Sequence, residues 1–477
     1  MTMQISSIFE PKTRTIFIKS TKIPATNKDA FDYHAREGAL ERLGPPWSIL
    51  TVKSHEGNIR DGVISTFNVS LGLIGFKWTA AHFGYLQDRQ FQDKMVKGPF
   101  QSWIHTHSFI PNEMGDCIME DKIAYSPPFG KVGPTLLDNK IQNNLNQLFH
   151  YRHRILSNDI NLWKIAGRSK GQKILITGSH GLIGSSLIPL LTAAGEHKIT
   201  RLARPPSNLN NTNSHSIVWD PSDDKVNVKE LEGFDVVVHL AGENIFGRWT
   251  DSKKQRILES RIRSTRLLCD SLINLANPPS TLICASATGF YGNQGNEVLT
   301  EKSKPGFGFL SDVCQKWEES TETARDAGIR VVNMRFGAVL TPKGGMLQKL
   351  LALSRFGLGL RLGDENQHIS WVSIEDAIGS IFYSIINSSL RGPVNIVSPN
   401  PVTNLEFSKT LARIVKSKIM LPISQKLARM MLGELPDAMI TSMIVPDKLS
   451  SAGYRFVNPD LEDAFRLLLG RQIISQE

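Results

Sequence analysis

The sequence predicts an α/β chain: a doubly wound parallel sheet over residues 172–400, an α+β segment before it over 12–160, and a small helical segment after it over 401–477. Three observations carry this. From about residue 172, short apolar runs alternate with helical patterns, the signature of successive βα units. The earlier segment mixes β-branched and aromatic runs and holds 7 of the 12 histidines. Beyond residue 400, Pro401, Pro422, Pro436, Pro446 and Pro459 punctuate a helix-patterned tail.

Taken in order, Arg14–Lys19, Gly62–Val69 and Ser102–Phe109 read as strands, because β-branched and aromatic residues pack well on a pleated surface. Phe31–His34 and Gly38–Trp47 read as helix and turn, and large apolar strands follow. Asn139–Ile155 predicts a helix, with Ile141, Leu145, Leu148 and Phe149 at helical spacing. Residues 161–171, ending Ala166-Gly-Arg-Ser-Lys-Gly171, read as a linker. Lys173–Gly178 is then a short buried strand, Ser185–Ala194 an apolar helix, His197–Arg204 a second strand and Phe234–Gly242 a third.

A length of 477 residues suits two or three domains. With 40% hydrophobic and 21% charged residues, a disordered or collagen-like chain is excluded. No apolar stretch reaches the roughly 18 residues of a membrane span. Met1–Ile5 lacks a basic start followed by an apolar run, so a cytoplasmic setting is expected. Cys117, Cys269, Cys284 and Cys314 are too few and scattered for a disulfide framework. The net charge of +10 is spread thinly: Lys and Arg exceed Asp and Glu by 21 to 15 before residue 171, and by 34 to 30 after it. Nucleic-acid binders concentrate such charge in a stripe, so nucleic acid is not expected as a partner.

The chemistry concentrates at Gly178-Ser179-His180-Gly181-Leu182-Ile183-Gly184, which follows a strand and opens a helix. Gly178 permits the tight turn, Gly181 lets the backbone approach a pyrophosphate, and Gly184 lets helix and strand pack closely. The helix N-terminus then offers unpaired N–H groups and a favourable dipole to the anion. An NAD site would end the second strand in Asp or Glu to bind the ribose hydroxyls. Here it ends in Ala203-Arg204, and a guanidinium there clamps a 2′-phosphate, so NADP is the expected cofactor. Leu240-Ala241-Gly242, closing the third strand, would lie beside the cofactor ribose.

Thr177–Gly184 with His239-Leu-Ala-Gly-Glu-Asn-Ile245 resembles the extended short-chain dehydrogenases/reductases, whose dinucleotide domain is the Rossmann fold. More closely, the chain is similar to the NAD(P)-dependent epimerase/dehydratase-like branch that carries its own C-terminal domain. Arg248-Trp-Thr, Ser260–Leu267, Ser286-Ala-Thr-Gly-Phe-Tyr-Gly292, Arg335–Leu340, His368–Val372, Leu432-Gly-Glu434 and Ala452–Phe456 extend the likeness over about residues 172–470. The resemblance implies that Ala203, Arg204, Leu240, Ala241 and Arg261 contact NADP.

That family uses a Tyr-x-x-x-Lys pair, the Lys one helical turn from the Tyr to lower its pKa, with a Ser on the preceding strand. The corresponding helix here, Phe309–Glu319, places Leu310 and Cys314 at those positions. The dyad is missing. Ser286 and Tyr291 are the remaining catalytic candidates, with Tyr291 the expected acid. Lys316 is two residues out of place, Cys314 reads as a buried structural thiol, and His368 and Trp371 are expected toward the substrate side.

In the first segment, Lys97–Phe109 and Phe149-His-Tyr-Arg-His-Arg154 resemble the START-like, polyketide cyclase/dehydrase-like domains. The resemblance implies a curved antiparallel sheet around a long C-terminal helix, a helix grip, with a hydrophobic cavity for an apolar ligand. His105 and His107 share a strand face, and His150 and His153 a helical face. No carboxylate or Cys stands at ligand spacing beside them, so no metal is expected. The function expected is an NADP-dependent oxidoreductase or epimerase acting on a small molecule, an apolar one if the N-terminal cup holds the substrate. The alternative is a non-catalytic NADP-binding sensor or ligand carrier.

Overall fold

Alternation is the organising pattern of the N-terminal strands in the computed structural model, which describes residues 15–55, 58–71, 74–127, 134–167, 171–195, 197–204, 216–221, 227–354, 356–362, 367–423 and 442–474. The described residues divide into two units, those of 15–161 with 472–474, and those of 162–471. In the first, β1 (Thr15–Ile23) is followed by helices α1 (Asn27–Ala35) and α2 (Ala39–Arg42). Six more strands follow: β2 (Ile49–His55), β3 (Ile64–Leu71), β4 (Ile74–Leu86), β5 (Gln90–Lys97), β6 (Ser102–Pro111) and β7 (Cys117–Ser126). They form one antiparallel sheet in the order β1-β7-β6-β5-β4-β3-β2. Helix α3 (Pro134–Ala166) runs through six residues of the stretch read as linker; Arg168–Lys170 lie outside the described residues.

On β7, Cys117, Met119, Asp121, Ile123 and Tyr125 are all buried, since every second side chain of a strand points to one face. Phe17, Ile123, Tyr125, Leu145 and Phe149 pack sheet against helix. The interior is not wholly apolar. Arg42 forms a bidentate pair with Asp159 at 2.9 and 2.7 Å, and the Tyr33 hydroxyl donates to the same carboxylate at 2.9 Å. The expectation that no carboxylate accompanies the histidines is corrected: strand pairing sets Asp93 opposite His105 and Asp121 opposite His107. Burial opposes a charge on His105, but its contacts with Asp121 and Asp93 prevail and raise its pKa to about 9. His150 does not join this group; burial, Arg154 and Lys19 lower its pKa.

The second unit is built on β8 (Lys173–Thr177), α4 (Leu182–Ala193), β9 (Lys198–Ala203), β10 (Ser216–Val218), β11 (Val236–His239), α5 (Asp251–Ile273), β12 (Thr281–Ala287), α6 (Phe309–Glu319), β13 (Arg330–Phe336), α7 (Ile374–Ile386) and β14 (Gly392–Ile396). The sheet is parallel, in the order β10-β9-β8-β11-β12-β13-β14. Its strands are near-continuous apolar runs, because helices cover both faces. Strand order reverses between β8 and β11, the switch point outside which open α/β sheets place their ligands. The described residues of the tail from 401 to 471, expected as a domain of its own, belong to this unit: Phe407, Leu411, Leu461, Phe465 and Leu468 join the core formed by the sheet. Leu432–Glu434 lie outside the described residues.

Candidate dinucleotide site

The glycine loop occupies the switch point, and its glycines are required by contact. Gly178 has φ +65°, and a Cβ there would stand 2.6 Å from the Leu240 carbonyl carbon and 2.8 Å from the Ala241 nitrogen. No side chain fits between the ends of β8 and β11. At Gly184 a Cβ would overlap the Gly178 carbonyl and come within 2.9 Å of the Ser179 Cα. Gly181 is the N-cap of α4; its N–H donates to the Gly178 carbonyl at 2.9 Å, and no side chain caps the helix. The first-turn residues Leu182 and Ile183 therefore have backbone N–H groups without an intrahelical acceptor. A cradle with no room for Cβ atoms and an uncapped helix N-terminus fits a pyrophosphate.

Thr177 ties the two strand ends together. Its hydroxyl accepts from the Leu240 and Ala241 N–H groups at 3.1 and 3.2 Å and meets His239 Nδ1 at 2.7 Å. His239 Nε2 reaches the Thr265 hydroxyl at 3.1 Å, and burial lowers its pKa to about 4, so the ring is neutral. Ala203 closes β9, and Arg204 follows it, exposed beside the cradle strands. Arg261 lies on α5, its guanidinium 3.4 Å from where a Gly242 Cβ would stand. It donates to the Glu243 and Ile257 carbonyls at 3.0 and 3.1 Å and sits 5.0 Å from the centre of the Trp317 ring. Arg261 therefore braces the loop after β11, a role that spacing along the chain did not disclose. Ser179 is buried beneath the loop.

The catalytic candidates are placed differently from the expectation. Ser286 and Tyr291 belong to one buried network, whose centre is a bidentate pair between Arg335 and Glu318, both bonds 2.8 Å. Ser286 donates to Glu318 at 2.7 Å. Arg335 also donates to the Tyr291 hydroxyl at 2.8 Å, and that hydroxyl donates to Asn395 at 2.7 Å. Tyr291 is 0% exposed. Burial raises its pKa against the opposing pull of Arg335. Its one proton is committed to Asn395, so the expected acid is sealed inside the protein.

Across from this network, Leu310 and Cys314 do occupy one face of α6. A Cβ on Gly289 would meet Leu310 at 3.0 Å and the Cys314 sulfur at 3.7 Å. Cys314 is buried, and burial with the nearby Glu318 pushes its thiol up to about 12, so it is no nucleophile. Lys316 is exposed on another face. Trp371, expected toward the substrate, is 0% exposed and donates to the Asn400 carbonyl at 3.2 Å. His368 is half-buried in a short strand pairing with Val402–Thr403. The Glu318–Arg335 pair was missed because its two members lie on different elements.

Comparison with known proteins identifies the family. Residues 174–396 match the NAD dependent epimerase/dehydratase family. An epimerase family protein of Mycobacterium bovis is 37% identical over 294 residues, which are 61% of this chain and 95% of that one. Epimerase family protein YfhF of Bacillus subtilis is 35% identical over 298 residues, 62% of this chain and 97% of its own. Among solved structures, the nucleoside-diphosphate sugar epimerase from Corynebacterium glutamicum aligns with a TM-score of 0.78 at 30% identity, covering 95% of this chain and 90% of that one. Human epimerase family protein SDR39U1 (isoform 2), solved with NADPH, aligns at 0.57 and 27% identity over 62% of this chain and 99% of that one. A cradle built on the ends of β8 and β11 and relatives matched over nearly their whole length lead to one conclusion: this chain belongs to the NAD dependent epimerase/dehydratase family.

Proposed function

We propose that this chain is an NADP(H)-dependent oxidoreductase or epimerase-type enzyme acting on a small molecule. The observation that carries the reading is the cradle, where Gly178 and Gly184 leave no room for a Cβ, with Arg204 at the end of the neighbouring strand. Gly178, Ser179, Gly181, Leu182, Ile183 and Gly184 would hold the pyrophosphate, and Ala203, Leu240, Ala241 and Gly242 would line the ribose side. Arg204 supplies a fork of donors matched to a 2′-phosphate. The human relative solved with NADPH supports this choice of cofactor. When bound, the nicotinamide supplies hydride exchange. The Ser286–Glu318–Arg335–Tyr291 network holds the C-terminal end of β12 rigid and surrenders no proton of its own.

A second reading, a non-catalytic NADP(H) sensor or carrier, is favoured by Leu310 and Cys314 in place of the proton-transfer pair and by the sealed Tyr291. For the N-terminal unit we infer a START-like helix grip, supported by one strand, two short helices, six strands and a long helix in that order.

Calorimetric titration of NADPH and NADH tests the cofactor reading. Replacing Arg204 by Ala removes a charge-assisted bond worth about 1.5–3 kcal/mol, and that loss is expected for NADPH alone. Equal losses for both cofactors refute the clamp. NADPH oxidation against carbonyl compounds and sugar nucleotides separates the two readings: turnover establishes the enzyme, and tight cofactor binding with no turnover establishes the sensor.

A further inference from the structure

Inside the N-terminal unit, far along the chain from the glycine loop, three side chains turn donor atoms toward one point. Asp93 Oδ2 lies 3.3 Å from His105 Nδ1 and 3.7 Å from His107 Nε2, and all three ligand atoms lie within 4.8 Å of one another. Ligands about 2.0–2.1 Å from a tetrahedral metal stand roughly 3.4 Å apart, so this spacing leaves space for an ion. Between His107 and Asp93 the 3.7 Å separation is too long for a hydrogen bond.

The surroundings point the same way. His107 is only 8% exposed, yet its Nδ1 makes no aligned hydrogen bond, although Asp121 Oδ1 is 2.7 Å away. Asp121, 0% exposed, accepts from His105 Nε2 at 2.8 Å. That bond fixes the orientation of the His105 ring and turns its Nδ1 edge toward Asp93, the placement an outer-shell carboxylate gives a metal-bound imidazole. Asp121 also meets His153 Nε2 at 2.5 Å, and His153 Nδ1 meets the Thr21 hydroxyl at 2.7 Å, so the supporting carboxylate is itself held in place. Phe91 stacks on His107 with ring centres 4.1 Å apart, and Phe149 stands edge-on to His105 at 5.3 Å. Asp93 is the most open of the three, its side chain 15% exposed, and offers a way in.

We propose that Asp93, His105 and His107 bind one divalent first-row transition metal, with Asp121 orienting the imidazoles from behind. Two imidazoles and one carboxylate are the donor set of open zinc sites and of non-haem ferrous sites, and both leave positions for water or a ligand. The site would give the N-terminal unit an anchor for a ligand bearing an oxygen or nitrogen donor. This inference is independent of the dinucleotide reading.

The test uses the full chain, stripped with chelator and loaded with Co²⁺ without oxygen, then with Zn²⁺ or Fe²⁺. One Co²⁺ per chain is expected, with visible d–d absorption that excess Zn²⁺ abolishes; elemental analysis after Zn²⁺ and Fe²⁺ loading tells which ion is preferred. Asp93→Asn keeps the shape of the site and should abolish stoichiometric uptake. Asp121→Asn should weaken affinity about 10- to 100-fold, the usual cost of losing such an outer partner. His150→Ala, on the same helix as His153 but outside the group, should change nothing. Circular dichroism confirms that each variant is folded. Absence of stoichiometric uptake by the folded wild type overturns the proposal, as does uptake that Asp93→Asn leaves intact.

Discussion

Replacing Tyr291 by Phe distinguishes an acid from a structural strut. The hydroxyl accepts one bond from Arg335 at 2.8 Å and donates one to Asn395 at 2.7 Å, in a setting with no solvent exposure. Phe removes both and supplies nothing, and water has no ready access to replace them. Arg335 keeps its two bonds to Glu318, so its loss is that of one charge-assisted donor; Asn395 keeps the bond from its Nδ2 to the Val445 carbonyl at 3.0 Å. Unmet buried groups cost about 1–3 kcal/mol each, so the two together should lower stability by roughly 2–6 kcal/mol. Urea unfolding of wild type and variant, followed by tryptophan fluorescence and read on the transition of the dinucleotide unit, measures it. NADPH affinity should change little, because none of these groups belongs to the cradle. A general acid predicts the reverse: stability nearly intact and turnover down by about 10²–10⁴-fold. A stability loss below about 1 kcal/mol in a folded variant would refute the strut, since two buried bonds cannot vanish so cheaply.

Two further outcomes follow from the cradle. Gly184→Ala drives a methyl into the Gly178 carbonyl and the Ser179 Cα, both backbone, so calorimetry should show NADPH binding lost, with overpacking costing about 1–3 kcal/mol of stability. His239 is neutral when folded, with its pKa near 4 against 6.5 for the ordinary ring. Between those values the unfolded chain binds the extra proton, so stability should fall as pH drops from 6.5 toward 4, by about 3 kcal/mol in all. Because buried Asp376, raised to about 6 by burial, slopes the other way, the measurement is the wild type minus His239→Gln difference across that window.

What was legible in the sequence is what is local. Gly178, Gly181 and Gly184 sit within one turn between a strand and a helix, so their spacing already encodes the bend and the close packing. The parallel sheet could be read from buried runs such as Val236–Val238, since strands covered on both faces have no polar phase. The second strand was legible in the same way, closing at Ala203 with Arg204 just after it. The catalytic surroundings were not, because they are made between elements: Ser286 comes from β12, Glu318 from α6, Arg335 from β13 and Asn395 from β14. Seen along the chain, Tyr291 is an aromatic in a loop near a strand end. Only the packing of four elements turns it into a buried strut.

The histidine group of the first unit makes the same point with a signal that was present. Asp121 falls in the buried phase of Cys117, Met119, Ile123 and Tyr125, and Asp93 falls in step with Phe91. A carboxylate in an apolar phase must find a partner or lose its charge, because an unpaired buried ion is very costly. Searching for ligands at fixed spacing along one strand misses it; searching for the charged residue that breaks a strand's alternation finds it. Cross-strand register then supplies the partners, setting Asp93 opposite His105 and Asp121 opposite His107. Both units seal a buried ion pair, Arg42–Asp159 in the first and Arg335–Glu318 in the second. In the dinucleotide unit Glu318 is paired with Arg335 and sealed, which fixes the strand ends. In the N-terminal unit Asp93 and Asp121 are instead shared among His105, His107 and His153, the grouping on which the metal proposal rests.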